Sequence, residues 1–537
     1  MDVPPIASDN AQRIYVYDPY CPVHGSRRRV NRRLHMHNLE EFHLASIDQV
    51  DISNDAITML YSQAYAAKVL RKHKRALLTG MEKFRKDKTR HKIKVNLWII
   101  SLAFLFLFTA FHGLQNLQTS INGRLGSDHL SVFYISVSIS SLFVPTFMLN
   151  RLGCKMTLIT SAGIYMIYML SNFLPKYYSL VPAAILTGAA GSCLWAAKCA
   201  YILETATKYA ALNIEAPNVV IVRFFGYFFM VLHLGQVIGN ILSSLILTTG
   251  LGYNKPEDRV EKTCGYLFQE NLSLLSEQAA KNLRQLPSHI YLSVCGVYFC
   301  CTVIALMIIM SFLNSLRKDE EERKKAPLFS FEIMTTMLRN LTKPKPLLLV
   351  PLTIFNGIEQ AFIVGLFTKA YVACGLGISQ IGFVMTSFGV ADAICSLVFG
   401  PLMKLFGRMP LFVFGAVINM LTIMTLLIWP LNPGDTALFY AIAGVWGMAD
   451  GVWNTQINVL SGKNLEAAFA IYRFWESLGF ASGLMLSRFS NIAQFLNISF
   501  VILLVGIFGY AGLEFYDEIS VNYFIFKNFN FINFMLR

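Results

Sequence analysis

Roughly twelve stretches of this chain stay apolar for about 20 residues, the length an α-helix needs to cross the hydrocarbon of a bilayer. They lie near 97–119, 130–150, 156–175, 180–204, 224–248, 290–314, 346–371, 380–403, 409–430, 437–461, 470–488 and 495–516. Hydrophobic residues make up 55% of the chain and charged ones 15%, so a soluble fold would need several large cores. The runs do not alternate polar with apolar residues, which excludes a transmembrane barrel. Helices remain the way to satisfy the backbone inside lipid.

The runs also come in two similar sets. Phe111–Gln118 reads FHGLQNLQ and Phe355–Phe362 reads FNGIEQAF. Each is followed by a basic turn with a glycine, Asn150–Lys155 and Lys404–Arg408, and then by a small-residue block, Thr187–Gly191 and Ala443–Gly447. A tryptophan follows each block, Trp195 and Trp453. Parallel duplication of this kind resembles the major-facilitator architecture. The expected fold is an all-α membrane protein, with twelve transmembrane helices in two six-helix halves, 96–314 and 346–516, joined by a charged cytoplasmic linker, 315–345.

The net charge of +14 sits mainly in Arg27–Arg33, Arg71–Arg75 and Lys83–Lys94. A basic flank against the first span marks a cytoplasmic end and attracts anionic inner-leaflet lipid; nucleic acid is not an expected partner. With the N-terminus inside, the basic turns fall inside and the loop Gly250–His289 outside, where Asn271 heads a glycosylation sequon. The sequons at Asn340 and Asn497 fall inside or against the membrane. Residues 1–95 read as a largely disordered basic region with one amphipathic patch, Ser53–Leu78, suited to the membrane surface or a partner groove or simply solvated. The tail 517–537 mixes phenylalanine and asparagine without helical period, too polar for another span. Of ten cysteines, Cys264 and Cys374 both fall in outward loops; two free thiols are the expectation, a bridge between the halves the alternative.

Polar side chains inside a membrane carry a functional hypothesis by default. His112, Gln115, Asn116 and Gln118 in the first span, and Glu359 with Gln360 in the seventh, would face one another across a central cavity, or the amides would only tie helices together. Lys198 in the fourth span and Asp450 in the tenth occupy nearly related places and could neutralise one another; Asp392 stands alone in the eighth. Arg223 and Arg473 begin their spans beside aromatic residues, with Glu476 one turn from Arg473, so an inner gate or an interfacial anchor is expected there. Gly235 and Gly239 suit close helix packing. There is no P-loop, GxSxG, HExxH or Cys/His cluster, so no enzyme, cofactor or metal site is expected.

Several blocks carry a more specific resemblance: Gly113–Gly126, Leu152–Lys155, Gly191–Tyr201, Phe225–Asn240 and Tyr472–Phe480. They resemble the uncoordinated-93 family of twelve-span, major-facilitator-like proteins, over roughly Asn96–Tyr516. The resemblance implies a regulatory subunit of a two-pore potassium channel complex, tied to muscle excitability, in the plasma membrane. A vertebrate branch instead escorts Toll-like receptors, which the long basic N-terminal region does not suit. The competing expectation is a proton- or cation-coupled secondary transporter using Glu359, Asp392 or Asp450.

Overall fold

The computed structural model describes residues 79–213, 215–251, 263–269, 276–283, 286–316, 339, 344–454 and 465–535. The patch Ser53–Leu78, the sequon at Asn271 and most of the charged linker lie outside the described residues.

Twelve long helices follow one another among these residues. The first six are α1 (Gly80–Ile121), α2 (Gly123–Ser141), α3 (Val144–Ser171), α4 (Tyr177–Asn213), α5 (Pro217–Leu251) and α6 (Ser288–Phe312). The second six are α7 (Pro344–Ala361), α8 (Ile381–Phe406), α9 (Met409–Ile428), α10 (Thr436–Trp453), α11 (Leu465–Phe489) and α12 (Ile492–Met535). Nine helices among the described residues are long and apolar enough to cross a membrane. Of the other three, α2 and α11 pack on each other between the halves and carry Asp128, Arg473 and Glu476, while α10 holds the buried Asp450.

The two sets pack alike. In the first, α1 packs on α5 and α6, α4 on α2 and α3, and α3 on α6; in the second, α7 packs on α11 and α12, α10 on α8 and α9, and α9 on α12. Between the sets run two seams, α5 against α8 and α2 against α11. The close crossings use glycine in both halves. A side chain at Gly239 would meet the Thr109 carbonyl at 2.2 Å, and one at Gly479 the Ile354 carbonyl at 2.3 Å. Gly235 and Gly239 therefore pack α5 on α1, and Gly479 and Gly483 pack α11 on α7.

The basic turns also match. Gly153 (φ 75, ψ 169) breaks α3, and Gly407 (φ 89, ψ −177) separates α8 from α9. Thr157 Oγ1 donates to the Met148 carbonyl at 3.2 Å, nine residues back. Nine residues of straight helix would hold them about 13 Å apart, so the chain folds back at Gly153. The second span thus runs through α2 and on to Leu152, with a break at Leu142–Phe143.

Three expectations change. The first helix starts well before residue 95. Thr79 caps it, accepting from the Glu82 N–H at 3.4 Å while the Glu82 carboxylate accepts from the Thr79 N–H at 3.3 Å. The basic block Lys83–Lys94 is thereby helical and continuous with the first span. A helix of 42 residues is about 63 Å long, twice the hydrocarbon thickness, so its basic turns stand outside it. At the other end, α12 carries the tail on as one helix to Met535. Lastly, Cys264 and Cys374 are not free: they form a disulfide, Cα–Cα 5.7 Å, joining the α5–α6 connection to the end of α7. The bridge between the halves, the alternative to two free thiols, is thus the one formed, across a sequence separation of 110 residues.

Candidate functional site: a polar network between the halves

α7 winds as an α-helix to Ala361 and as a π-helix from Phe362 to Ala373. Wide turns of this kind recur at functional sites, and this one follows directly on Glu359 and Gln360. Glu359 is fully buried; Oε2 accepts a short hydrogen bond from Asn419 Nδ2 on α9, and Oε1 has no hydrogen-bond partner among the described residues. The indole N–H groups of Trp446 and Trp453 on α10 approach the same carboxyl without reaching hydrogen-bond geometry.

Gln360 Nε2 donates to Asp450 Oδ1 at 3.1 Å, and Asn454 Nδ2 to Asp450 Oδ2 at 2.8 Å. Weaker contacts of Gln360 reach Asn356 at 3.4 Å and Glu476 at 3.5 Å. Asn356 in turn donates to the Tyr472 hydroxyl at 2.6 Å, and Tyr472 donates to Glu476 Oε1 at 3.3 Å. Arg473 closes this chain, its Nη1 lying 2.7 Å from Glu476 Oε2. Amide, phenol, carboxylate and guanidinium thus link α7, α10 and α11 as one connected set.

The seam adds a pair. Asp392 on α8 does not stand alone: its Oδ2 lies 2.7 Å from His233 Nδ1 on α5, while Oδ1 has no hydrogen-bond partner. Both residues are buried.

The first-span amides do not face Glu359 across a gap. Gln115 donates to the Tyr134 hydroxyl on α2 at 2.8 Å, Asn116 to Asn240 on α5 at 2.8 Å, and Gln118 to Asn172 after α3 at 2.6 Å. Three neighbouring amides thus bind three different helices of their own half. Asn240 also reaches across the seam, donating to the Met385 carbonyl on α8 at 3.3 Å. His112 packs edge-on against Phe108, centroids 4.9 Å apart, and its Nδ1 has no hydrogen-bond partner.

Lys198 is not paired with Asp450. Its Nζ lies among rings, 4.4 Å from Trp195, 4.5 Å from Phe229 and 4.7 Å from Phe228, with no hydrogen-bond partner. Arg473 does not clamp a neighbouring helix: its carboxylate is on α11 itself, and its reach to the other half is by stacking on Trp195, 4.1 Å from the ring centre. Arg223 pairs with Glu215 at 2.9 Å within its own half.

Sequence reasoning missed His233, Asn240, Asn356, Asn419 and Tyr472. Each has a partner 60 or more residues away along the chain, and His233, Asn240, Asn356 and Asn419 stand in largely apolar runs. The signal for Asn419 and His233 was the same as for Glu359: a polar residue inside a span.

Two similarly packed sextets meeting along two seams define a membrane protein of the major-facilitator type. Solved structures agree: the nucleoside transporter NupG superposes with TM-score 0.51 at 12% identity over 79% of this chain and 98% of that one. A variant of the Escherichia coli fucose:proton symporter FucP superposes with TM-score 0.51 at 12% identity, over 79% and 99%. Identities this low establish the fold alone.

Within that fold the chain belongs to the UNC-93 family, whose model, described as ion channel regulatory protein UNC-93, matches residues 118–511. It is 54% identical over 518 residues to the Caenorhabditis elegans protein named "Putative potassium channel regulatory protein unc-93", covering 94% of this chain and 72% of that one. It is 38% identical to Protein unc-93 homolog A of Xenopus laevis, over 79% of this chain and 94% of that one.

Proposed function

We propose that this protein regulates a potassium channel, of the two-pore class, as an accessory subunit in the plasma membrane. The observation that carries the reading is the 54% identity over 94% of the chain to a relative whose name gives that role. The interior supports it: the first-span amides are spent on binding helices to one another. The channel would then meet lipid-facing helix surfaces and the basic cytoplasmic arm.

The topology that goes with it has twelve crossings with the N-terminus in the cytoplasm. The Cys264–Cys374 disulfide supports placing those loops in the oxidising compartment, opposite the basic turns. Asn271 would be glycosylated on that side, and the basic turns of α1 would lie against anionic inner-leaflet lipid.

Whole-cell recording of a two-pore potassium channel, expressed with and without this protein, tests the proposal. A changed current at equal channel abundance supports it; an unchanged current across such channels removes it.

A second reading rests on one observation, the open oxygens Glu359 Oε1 and Asp392 Oδ1 in the interior. A proton- or cation-coupled transporter would use such groups. Solute uptake by the purified protein in liposomes, lost in Glu359→Gln, would establish it.

A further inference from the structure

Glu359, Asp392 and Asp450 bring carboxyl groups to the C-terminal half. Elsewhere in the interior several side-chain nitrogens have no hydrogen-bond partner among the described residues. Lys198 is fully buried on α4, and its Nζ has no hydrogen-bond partner among the described residues. Five rings surround it: Trp195, Phe225, Phe228, Phe229 and Phe469, with centroids 4.4 to 5.6 Å from Nζ. Ring faces attract a cation, yet they leave the three N–H donors of an ammonium without oxygen partners.

Arg473 reaches the same place from the other half. Its guanidinium lies 4.1 Å from the centre of Trp195 and 5.6 Å from that of Phe469, so both cations share two rings. One edge of Arg473 is taken by Glu476, while its Nε has no hydrogen-bond partner. His112 on α1 lies within electrostatic reach of Arg473, and its Nδ1 is also without a partner. Cys199, the next residue, brings its thiol within reach of the ammonium, a weak acceptor that leaves the other N–H donors without an oxygen.

We propose that Lys198 and Arg473 bind the anionic group, carboxylate or phosphate, of a small solute or a lipid headgroup where α4 meets α11. Arg473 has Glu476 as its carboxylate, while Lys198 has none of its own among the described residues, and burial makes its charge costly until an anion meets it. The unfilled donors give the anion its orientation. The site opens by parting the halves: four rings belong to α4 and α5, while Phe469 and Arg473 belong to α11. Drawing α11 away uncovers Lys198. An anion seated there would replace Phe469 as the neighbour of the ammonium and hold α4 and α11 at a different spacing.

Full-length protein in phosphatidylcholine nanodiscs, titrated with radiolabelled inorganic phosphate, tests the soluble source. Nanodiscs with added phosphatidylserine, assayed by native mass spectrometry for retained lipid, test the headgroup source. At least one probe is expected to bind, with affinity reduced tenfold or more in Lys198→Met and unchanged in Arg223→Gln. Phosphate binding alone assigns a soluble anion; serine-lipid retention alone assigns the headgroup. Should Lys198→Met fail to fold, Arg473→Met replaces it with the same expectation. Wild-type protein that holds neither probe overturns the site, as does a folded variant that holds them as tightly.

Discussion

His233 and Asp392 stand 2.7 Å apart across the seam between α5 and α8, one from each half and both buried. Replacing one partner leaves the other buried and unpaired, which costs about 1–3 kcal/mol for a buried polar group. His233→Ala is therefore expected to lower the thermal midpoint of the detergent-solubilised protein strongly. The double change His233→Leu with Asp392→Leu is expected to recover much of the loss. A double-mutant cycle read by fluorescence-detected size exclusion after heating checks it; additive losses would show that the pair is not coupled.

The glycine crossings give a matched pair of expectations. Gly239→Ala and Gly479→Ala each place a Cβ within 2.3 Å of a carbonyl oxygen of the facing helix. Helices would have to part, at about 1–3 kcal/mol each. Gly163→Ala, with nothing within 4 Å, is the neutral control. Melting curves of the three variants test this, and equal midpoints would contradict it.

The disulfide ties loops 110 residues apart. In the chain-entropy account a loop of that length stabilises the fold by about 4–5 kcal/mol. Cys264→Ser and Cys374→Ser are expected to lower the melting midpoint equally, and the double variant no further. Peptide mapping without reductant is expected to recover Cys264 and Cys374 as one cross-linked pair; the two peptides recovered as separate thiols would contradict the bridge.

Gly153 and Gly407 share a positive-φ, extended-ψ backbone essentially confined to glycine, which costs other residues about 1–3 kcal/mol. Gly153→Val and Gly407→Val are each expected to reduce the yield of monodisperse protein to a similar degree, because the two turns do the same work in the two halves. Unequal losses, one full and one absent, would contradict that equivalence.

The duplication was legible because it is written in local marks. The Phe111 and Phe355 blocks both sit at close crossings, Gly113 against Tyr298 on α6 and Gly239 on α5, Gly357 against Glu476 and Gly479 on α11, and the two basic turns carry glycines in the same conformation. Span existence follows from apolar length, which needs no partner. What sequence could not supply was pairing. Asp392 looked solitary because His233 lies on another helix of the other half, and Lys198 looked matched to Asp450 because their places along the two halves are similar. Rotation of α4 instead turns Lys198 into the rings of α5 and α11. Similar places along two helices do not fix which faces meet; the register across the seams does, and no local pattern encodes it.

If the protein acts on a channel, as proposed, its buried carboxyls serve the fold. The most direct test records two-pore channel current with wild-type protein and with the double variant Glu359→Gln, Asp450→Asn, at matched surface abundance. Each substitution keeps the shape of the side chain; Glu359→Gln leaves an oxygen to accept from Asn419, and Asp450→Asn leaves one to accept from either Gln360 or Asn454. The account predicts the same change of current from both proteins. A change produced by the wild type and abolished in the double variant, with the protein still folded at the surface, would contradict it.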